Sequence, residues 1–173
     1  MALINRIAVS NVLNIHGESP RANWSPRFRY ELLSFNGQST AVNLTNGGGK
    51  TTFAEAILAV LSRDTTLITR TKQKLSPSNT RVFSHVQVEL IRPRASASQS
   101  DLLTSEGHEV DGDLWVFGMY GYRDRDEDLS YYYYPGNLSL CPIGVADGHK
   151  RRLVLNSEFM ENLKSIRGSV RGS

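Results

Sequence analysis

The residues best suited to chemistry lie in one run, Asn46-Gly47-Gly48-Gly49-Lys50-Thr51-Thr52. Consecutive glycines let backbone N–H groups turn inward around an anion, because no side chain stands in the way. The lysine and hydroxyl that follow supply an ammonium for phosphate oxygens and an oxygen ligand for Mg²⁺. Beyond the loop, Phe53, Ile57, Leu58 and Leu61 recur at helical spacing. The run therefore opens a helix, whose N-terminal N–H groups and positive dipole end also favour phosphate. Ahead of it, Ala41, Val42 and Leu44 predict a short strand over Thr40–Thr45. Strand, glycine-rich loop, Lys-Thr and helix is the layout of a phosphate-binding P-loop. On this reading ATP is held by Asn46, Gly47, Gly48, Gly49, Lys50, Thr51 and Thr52. Lys50 bridges the β- and γ-phosphates and Thr51 completes the Mg²⁺ shell. Leu44 stands where the pattern usually begins with glycine, but the amides facing phosphate are expected from Gly47 to Thr52. A glycine-rich turn without a ligand is the plainer alternative. Gly-Lys-Thr between a strand and an amphipathic helix is the rarer pattern and favours the nucleotide.

Cations gather in two further places. Arg63, Arg70, Lys72 and Lys74 crowd the stretch after the helix, and Lys150-Arg151-Arg152 form a triplet near the end. As solvated charge they need no function. As a basic rim, Arg70 or Arg63 reaches phosphate, and Arg63, Lys72, Lys74, Lys150, Arg151 and Arg152 are candidates for the DNA backbone. The net charge of +3 accords with such partners without requiring them. His85 sits in a strand pattern with no second ligand at metal spacing, and Cys141 is the only cysteine. An intrachain disulfide and a cysteine-based zinc site are thereby excluded. No signal-peptide pattern and no membrane-length apolar run is present, so a cytoplasmic protein with no membrane partner is expected.

The elements that must position these groups follow from periodicity. In 173 residues with 39% hydrophobic content one domain is expected. We place it at 1–168, with 169–173 resembling a linker or tag remnant. Residues 4–12 alternate, with Ile7 and Val9 on one side and Ala8 and Ser10 on the other. Phe28 to Leu33 give a second strand that ends at Asn36-Gly37. The stretch from Asp64 to Thr80 reads as polar loop. Strands are expected at 82–91, 114–122 and 129–134, with a long Ser-rich connection over 92–112. The tyrosines of 131–134 are foremost sheet formers, with base stacking as the sharper alternative. Leu153-Val154-Leu155 is short and strand-like, and Asn156 or Ser157 caps a last helix with Phe159, Met160 and Leu163 on its apolar face. The fold class is α/β with a mixed sheet, the P-loop helix packed beside a largely antiparallel β-meander.

This order of features resembles the N-terminal head lobe of SMC-family ATPases, an ABC-type P-loop head. Asn46, Gly47, Gly49, Lys50 and Thr51 match that family's loop and Leu44 does not. Thr51-Thr52, the helix ending in Leu61-Ser62-Arg63-Asp64, and Arg152-Leu153-Val154-Leu155-Asn156 leading into a helix look most like the MukB branch of bacterial condensins. That branch includes the MksB and Wadjet-type JetC proteins. The resemblance implies one lobe of a split head, completed by a C-terminal lobe of the same parent protein and by a second head in a homodimer. It also implies ATP and Mg²⁺ as ligands, kleisin-type and accessory subunits, double-stranded DNA, and a nucleoid-associated location. ATP-driven head engagement would then serve chromosome segregation or plasmid defence. No signature motif and no Walker B acidic pair occurs in this chain, so no catalytic residue is assigned and turnover is not expected from it alone. A head lobe of a RecF- or RecN-type repair ATPase and a degenerate nucleotide-sensing domain are the alternatives.

Overall fold

The structure, a computed structural model, describes residues 2–13, 27–38, 40–42, 49–62, 64–78, 81–93, 112–125, 129–147 and 150–171. The strands are β1 (Leu3–Leu13), β2 (Arg27–Ser34), β3 (Ser84–Pro93), β4 (Gly112–Gly121), β5 (Ser130–Pro135), β6 (Gly144–Asp147) and β7 (Lys150–Leu153). The helices among the described residues are α1 (Lys50–Ser62), α2 (Thr65–Lys72) and α3 (Asn156–Arg171), with a 3-10 turn at Leu138–Leu140. Five strands form one sheet in the order β2-β1-β3-β4-β5, and β6 and β7 form a separate hairpin. Every pairing among the described residues is antiparallel. The chain is therefore α/β, as expected, and β3-β4-β5 is a meander.

Period-two alternation divides the sheet into two faces. Ile7, Val9, Val86, Val88 and Met119 point toward Phe53, Ala56, Ala59 and Val60 of α1. Ala8, Tyr30, Val116, Tyr132 and Tyr134 point the other way, toward Val154, Phe159 and Leu163. The result is three layers, with α1 and α2 on one side and α3 with the β6–β7 hairpin on the other. Burial of a large apolar side chain contributes roughly 1.5–3 kcal/mol, so these two clusters, not helix propensity, hold the layers together.

One end of the sheet is fixed by polar groups. Asn11 is buried and has a left-handed backbone (φ 54), a conformation asparagine tolerates better than most residues. Its carbonyl accepts from Ser76 Oγ at 2.8 Å and Ser84 Oγ at 2.7 Å, and its Nδ2 donates to the Val82 carbonyl at 3.1 Å. Just beyond, Val12 leaves β3 and bridges Leu75 instead. This anchor brings the segment after α2 against the sheet.

Several expectations change. Asn36 and Gly37 both adopt positive φ (52° and 71°), the requirement of a type I′ turn. The turn folds back onto β1, with Phe35 N donating to the Asn5 carbonyl at 2.7 Å. Of the third strand expected over Thr40–Thr45, the described residues Thr40, Ala41 and Val42 are exposed and lie in no strand, and residues 43–48 lie outside the described residues. The expected loop over Asp64–Thr80 contains α2. Asp64 caps it by accepting from Leu67 N at 3.0 Å, while Leu67 and Ile68 pack on the α1-side core. Near the end, the last strand is Lys150–Leu153, not 153–155, because β6 pairs with it through Gly144↔Leu153. Asn156 is the first residue of α3 and faces the sheet, accepting from Phe83 N at 2.6 Å. The α3 backbone runs through Arg171. The connections at 14–26 and 94–111 lie outside the described residues.

Candidate functional site

The N-terminus of α1 carries the described part of the glycine-rich loop. Gly49 has φ 85, a conformation that disfavours any side chain, and its carbonyl accepts from Phe53 N at 2.9 Å. The chain thus turns at Gly49 and is helical from Lys50 onward. N–H groups of a first helical turn have no acceptor within the helix. The first turn of α1 holds no acidic residue to offset the positive dipole end. Lys50 and Thr51 are exposed there, while Thr52 turns inward and is buried. The local chemistry suits an anion. Asn46, Gly47 and Gly48 lie outside the described residues, as does Arg63.

Four residues after Thr51, one turn along the same face, Glu55 gathers two of the expected cations. Lys74 Nζ bonds Glu55 Oε2, with side chains only 4% and 13% exposed. Arg70 Nη1 stands 3.7 Å from Glu55 Oε1 and its side chain is 60% exposed. Lys74, expected as a DNA contact, is thus engaged with Glu55 and almost wholly buried. Reaching a phosphate would take the Lys74 ammonium out of a nearly buried pair with Glu55, and breaking such a pair opposes that role. Arg70 remains accessible beside the loop helix, and Lys72 is half-buried.

The second basic cluster lies on the opposite layer. Lys150 and Arg151 belong to β7, and Arg152 pairs with Glu158 of α3 at 3.3 Å, both partners well exposed. A screened pair of that kind contributes about 0–1 kcal/mol. Arg152, through Glu158, belongs to the α3 layer, and Arg70 and Lys72 belong to α2 on the other side of the sheet.

Sequence reasoning missed a buried polar seam beneath α3. His85, Gln87 and Glu89 alternate along β3, the pattern of a solvent-facing row, yet each is at most 3% exposed. Gln87 Nε2 donates to Tyr132 Oη at 2.7 Å and to the Cys141 carbonyl at 2.9 Å. Tyr132 Oη also lies 2.7 Å from His85 Nε2, which completes the set when the hydroxyl donates to a neutral ring. Burial drives the His85 pKa down to about 3 and raises those of Tyr132 and Tyr134, so all three stay uncharged. Burial likewise lifts the Cys141 thiol to about 12, leaving it unreactive.

At the other end of the seam, Glu89 takes a bidentate pair from Arg6 at 2.8 and 2.7 Å. Asn5 Nδ2 adds a bond at 2.6 Å and Leu138 N another at 2.7 Å. The hydrogen bonding that Arg6 donates to Glu89 is the first cause of the raised Arg6 pKa. Gly118 makes room for the seam: a Cβ there would fall 2.2 Å from Tyr132 Cζ. The one sequence signal was that glycine, opposite Tyr132 in an otherwise apolar strand. Of the four consecutive tyrosines, Tyr132 and Tyr134 are buried in the seam and only Tyr133 is well exposed, so stacking on bases is open to that one alone.

Among the described residues no group of three or more His, Cys, Asp or Glu side chains could hold a metal ion, and no helix is long and apolar enough to cross a membrane. No protein-family model, curated protein or solved structure matches this chain.

Proposed function

We propose that this chain is the nucleotide-binding lobe of an SMC- or MukB-like ATPase head, part of a DNA-organising motor. One observation carries the reading. A left-handed Gly49 turns directly into α1, presenting Lys50 and Thr51 at a helix end with no carboxylate in its first turn. In this role Lys50 neutralises the β- and γ-phosphates and the Thr51 hydroxyl is an oxygen ligand for Mg²⁺. Amides at the start of α1, from Gly49 to Thr52, face the phosphate tail, and Arg70 is the nearby cation of α2.

The surroundings of α1 support a split head. Besides the residues buried against the sheet, Leu58 is 49% and Leu61 40% exposed on its outer side. Ala54, also exposed, completes the stripe at helical spacing. A helix apolar on both sides suits burial between two layers. Thr40–Val42 is exposed just before the loop, where a layer supplied by another lobe would cover it. Engagement of two such heads around ATP, and its release, would then move or entrap DNA.

A nucleotide-sensing domain without turnover is the second reading, favoured by Thr40–Val42 lying in no strand ahead of the loop. Binding of Mg-ATP to the intact parent protein and to its Lys50→Ala variant tests both. Loss of at least tenfold in affinity, about 1.4 kcal/mol, together with loss of ATP hydrolysis, is expected. Unchanged ATP affinity in the variant rejects the P-loop, whereas lost affinity in a parent with no hydrolysis to lose selects the sensor.

A further inference from the structure

We propose that Glu55 and Lys74 are positioning residues that keep Arg70 in reserve for the nucleotide, an inference that rests on the nucleotide-binding reading. Three charged groups meet where α1 faces the end of α2: one carboxylate and two cations. They are not held alike. Lys74 is almost wholly buried and bonded to Glu55 Oε2, whereas Arg70 is mostly exposed and 3.7 Å from Glu55 Oε1, beyond hydrogen-bond length. Glu55 therefore keeps a close counter-ion if Arg70 departs.

That inequality decides the energetics of exchange. A nearly buried carboxylate stripped of its last cation is strongly destabilising. With Lys74 fixed in place, Arg70 can leave without creating such a group, and only a loose, solvent-screened contact is lost. A polyphosphate bound one helical turn away at Lys50 and Thr51 offers the guanidinium a stronger, bidentate partner. Arg70 accordingly pairs with Glu55 when no nucleotide is bound and with a phosphate oxygen when one is. Because Arg70 belongs to α2, the exchange transmits nucleotide occupancy from the loop helix to its neighbour.

Titration of the isotope-labelled chain with ATP, followed by nitrogen–proton correlation spectra, reads the site and the exchange together. Binding shifts the amide signals of Gly49, Lys50 and Thr51, and the exchange shifts the Arg70 Nε signal in parallel. Glu55→Gln removes the competing charge, so affinity for ATP rises about three- to fivefold, the range expected for a partly screened ion pair. In an Arg70→Ala background the same substitution leaves affinity unchanged, a non-additivity that a purely structural role of Glu55 does not produce. Should Glu55→Gln unfold the chain, Arg70→Ala alone still decides. It lowers affinity severalfold if Arg70 takes phosphate and has no effect if it does not. Loop amides that move while the Arg70 Nε signal stays still overturn the exchange and leave the nucleotide reading standing. Loop amides that do not move at saturating ATP bring both down.

Discussion

At the scale of single residues, His85 is the group whose chemistry the fold alters most. Its ring lies edge-on to Phe159, with centroids 4.4 Å apart, and its Nε2 faces the Tyr132 hydroxyl. Charging it would place a cation among aromatic rings with no acid described beside it, and burial accordingly lowers its pKa to about 3 from the ordinary 6.5. The unfolded chain therefore binds one more proton than the folded one between those two values. Stability contributed by neutral His85 is complete above about pH 6.5 and declines as the pH falls toward 3. The slope approaches about 1.4 kcal/mol per pH unit in the middle of that window. Urea unfolding of the wild type and of His85→Gln isolates the effect, since every other titratable group is common to both. The stability difference between the two proteins should shift in favour of the variant as pH drops from 7 to 4.5. Parallel pH profiles would show that the ring is not buried as described.

Among the elements, those with clean periodicity were legible in the sequence. The alternations at β1, β2, β3, β4 and β5 and the spacing of α1 and α3 all locate real elements. What failed depended on partners that a local pattern does not reveal. The row His85-Gln87-Glu89 reads as a wet face, and partners distant in sequence, among them Tyr132, Arg6, Leu138 N and the Cys141 carbonyl, make it a dry one. Helix α2 was hidden by its threonines, poor helix formers, and is held by the Asp64 cap and by contacts with α1. For the candidate site, the Gly49-Lys50-Thr51 corner was legible, but the capture of Lys74 by Glu55 required knowing that α2 exists. Asn156 is a similar case. The residue type signalled a helix start correctly, yet its side chain ties α3 to the sheet, accepting from Phe83 N and donating to the Tyr122 hydroxyl. Asn156→Ala leaves a part-buried N–H without its acceptor, a loss of about 1–3 kcal/mol. Hydrogen exchange gives the discriminating measurement. Amides in the first two turns of α3 should lose protection while those of β1 and α1 keep theirs; uniform loss would show that Asn156 supports the whole fold and not this one junction.

For the molecule as a whole, the two sides of the sheet differ in how completely they are finished. Under α3 the polar seam is paired along most of its length and the aromatic cluster is closed by Phe159 and Leu163. On the other side α1 covers the apolar sheet face but presents Leu58 and Leu61 outward, and Val42 is exposed in the segment that approaches the loop. If these residues only happen to be exposed, replacing them affects solubility and nothing else. If they belong to an interface with a second lobe, the same change separates folding from function. Leu58→Glu combined with Leu61→Glu should leave the isolated chain within about 0.5 kcal/mol of wild-type stability per site, as for other exposed positions. In the intact parent protein the pair should abolish ATP hydrolysis. Retained hydrolysis in the parent would exclude the outer side of α1 from any lobe interface. A melting temperature lowered by many degrees in the isolated chain would place the stripe inside this chain's own core. Destabilisation confined to the parent would assign α1 its place, buried on both sides between this sheet and a layer that another lobe supplies.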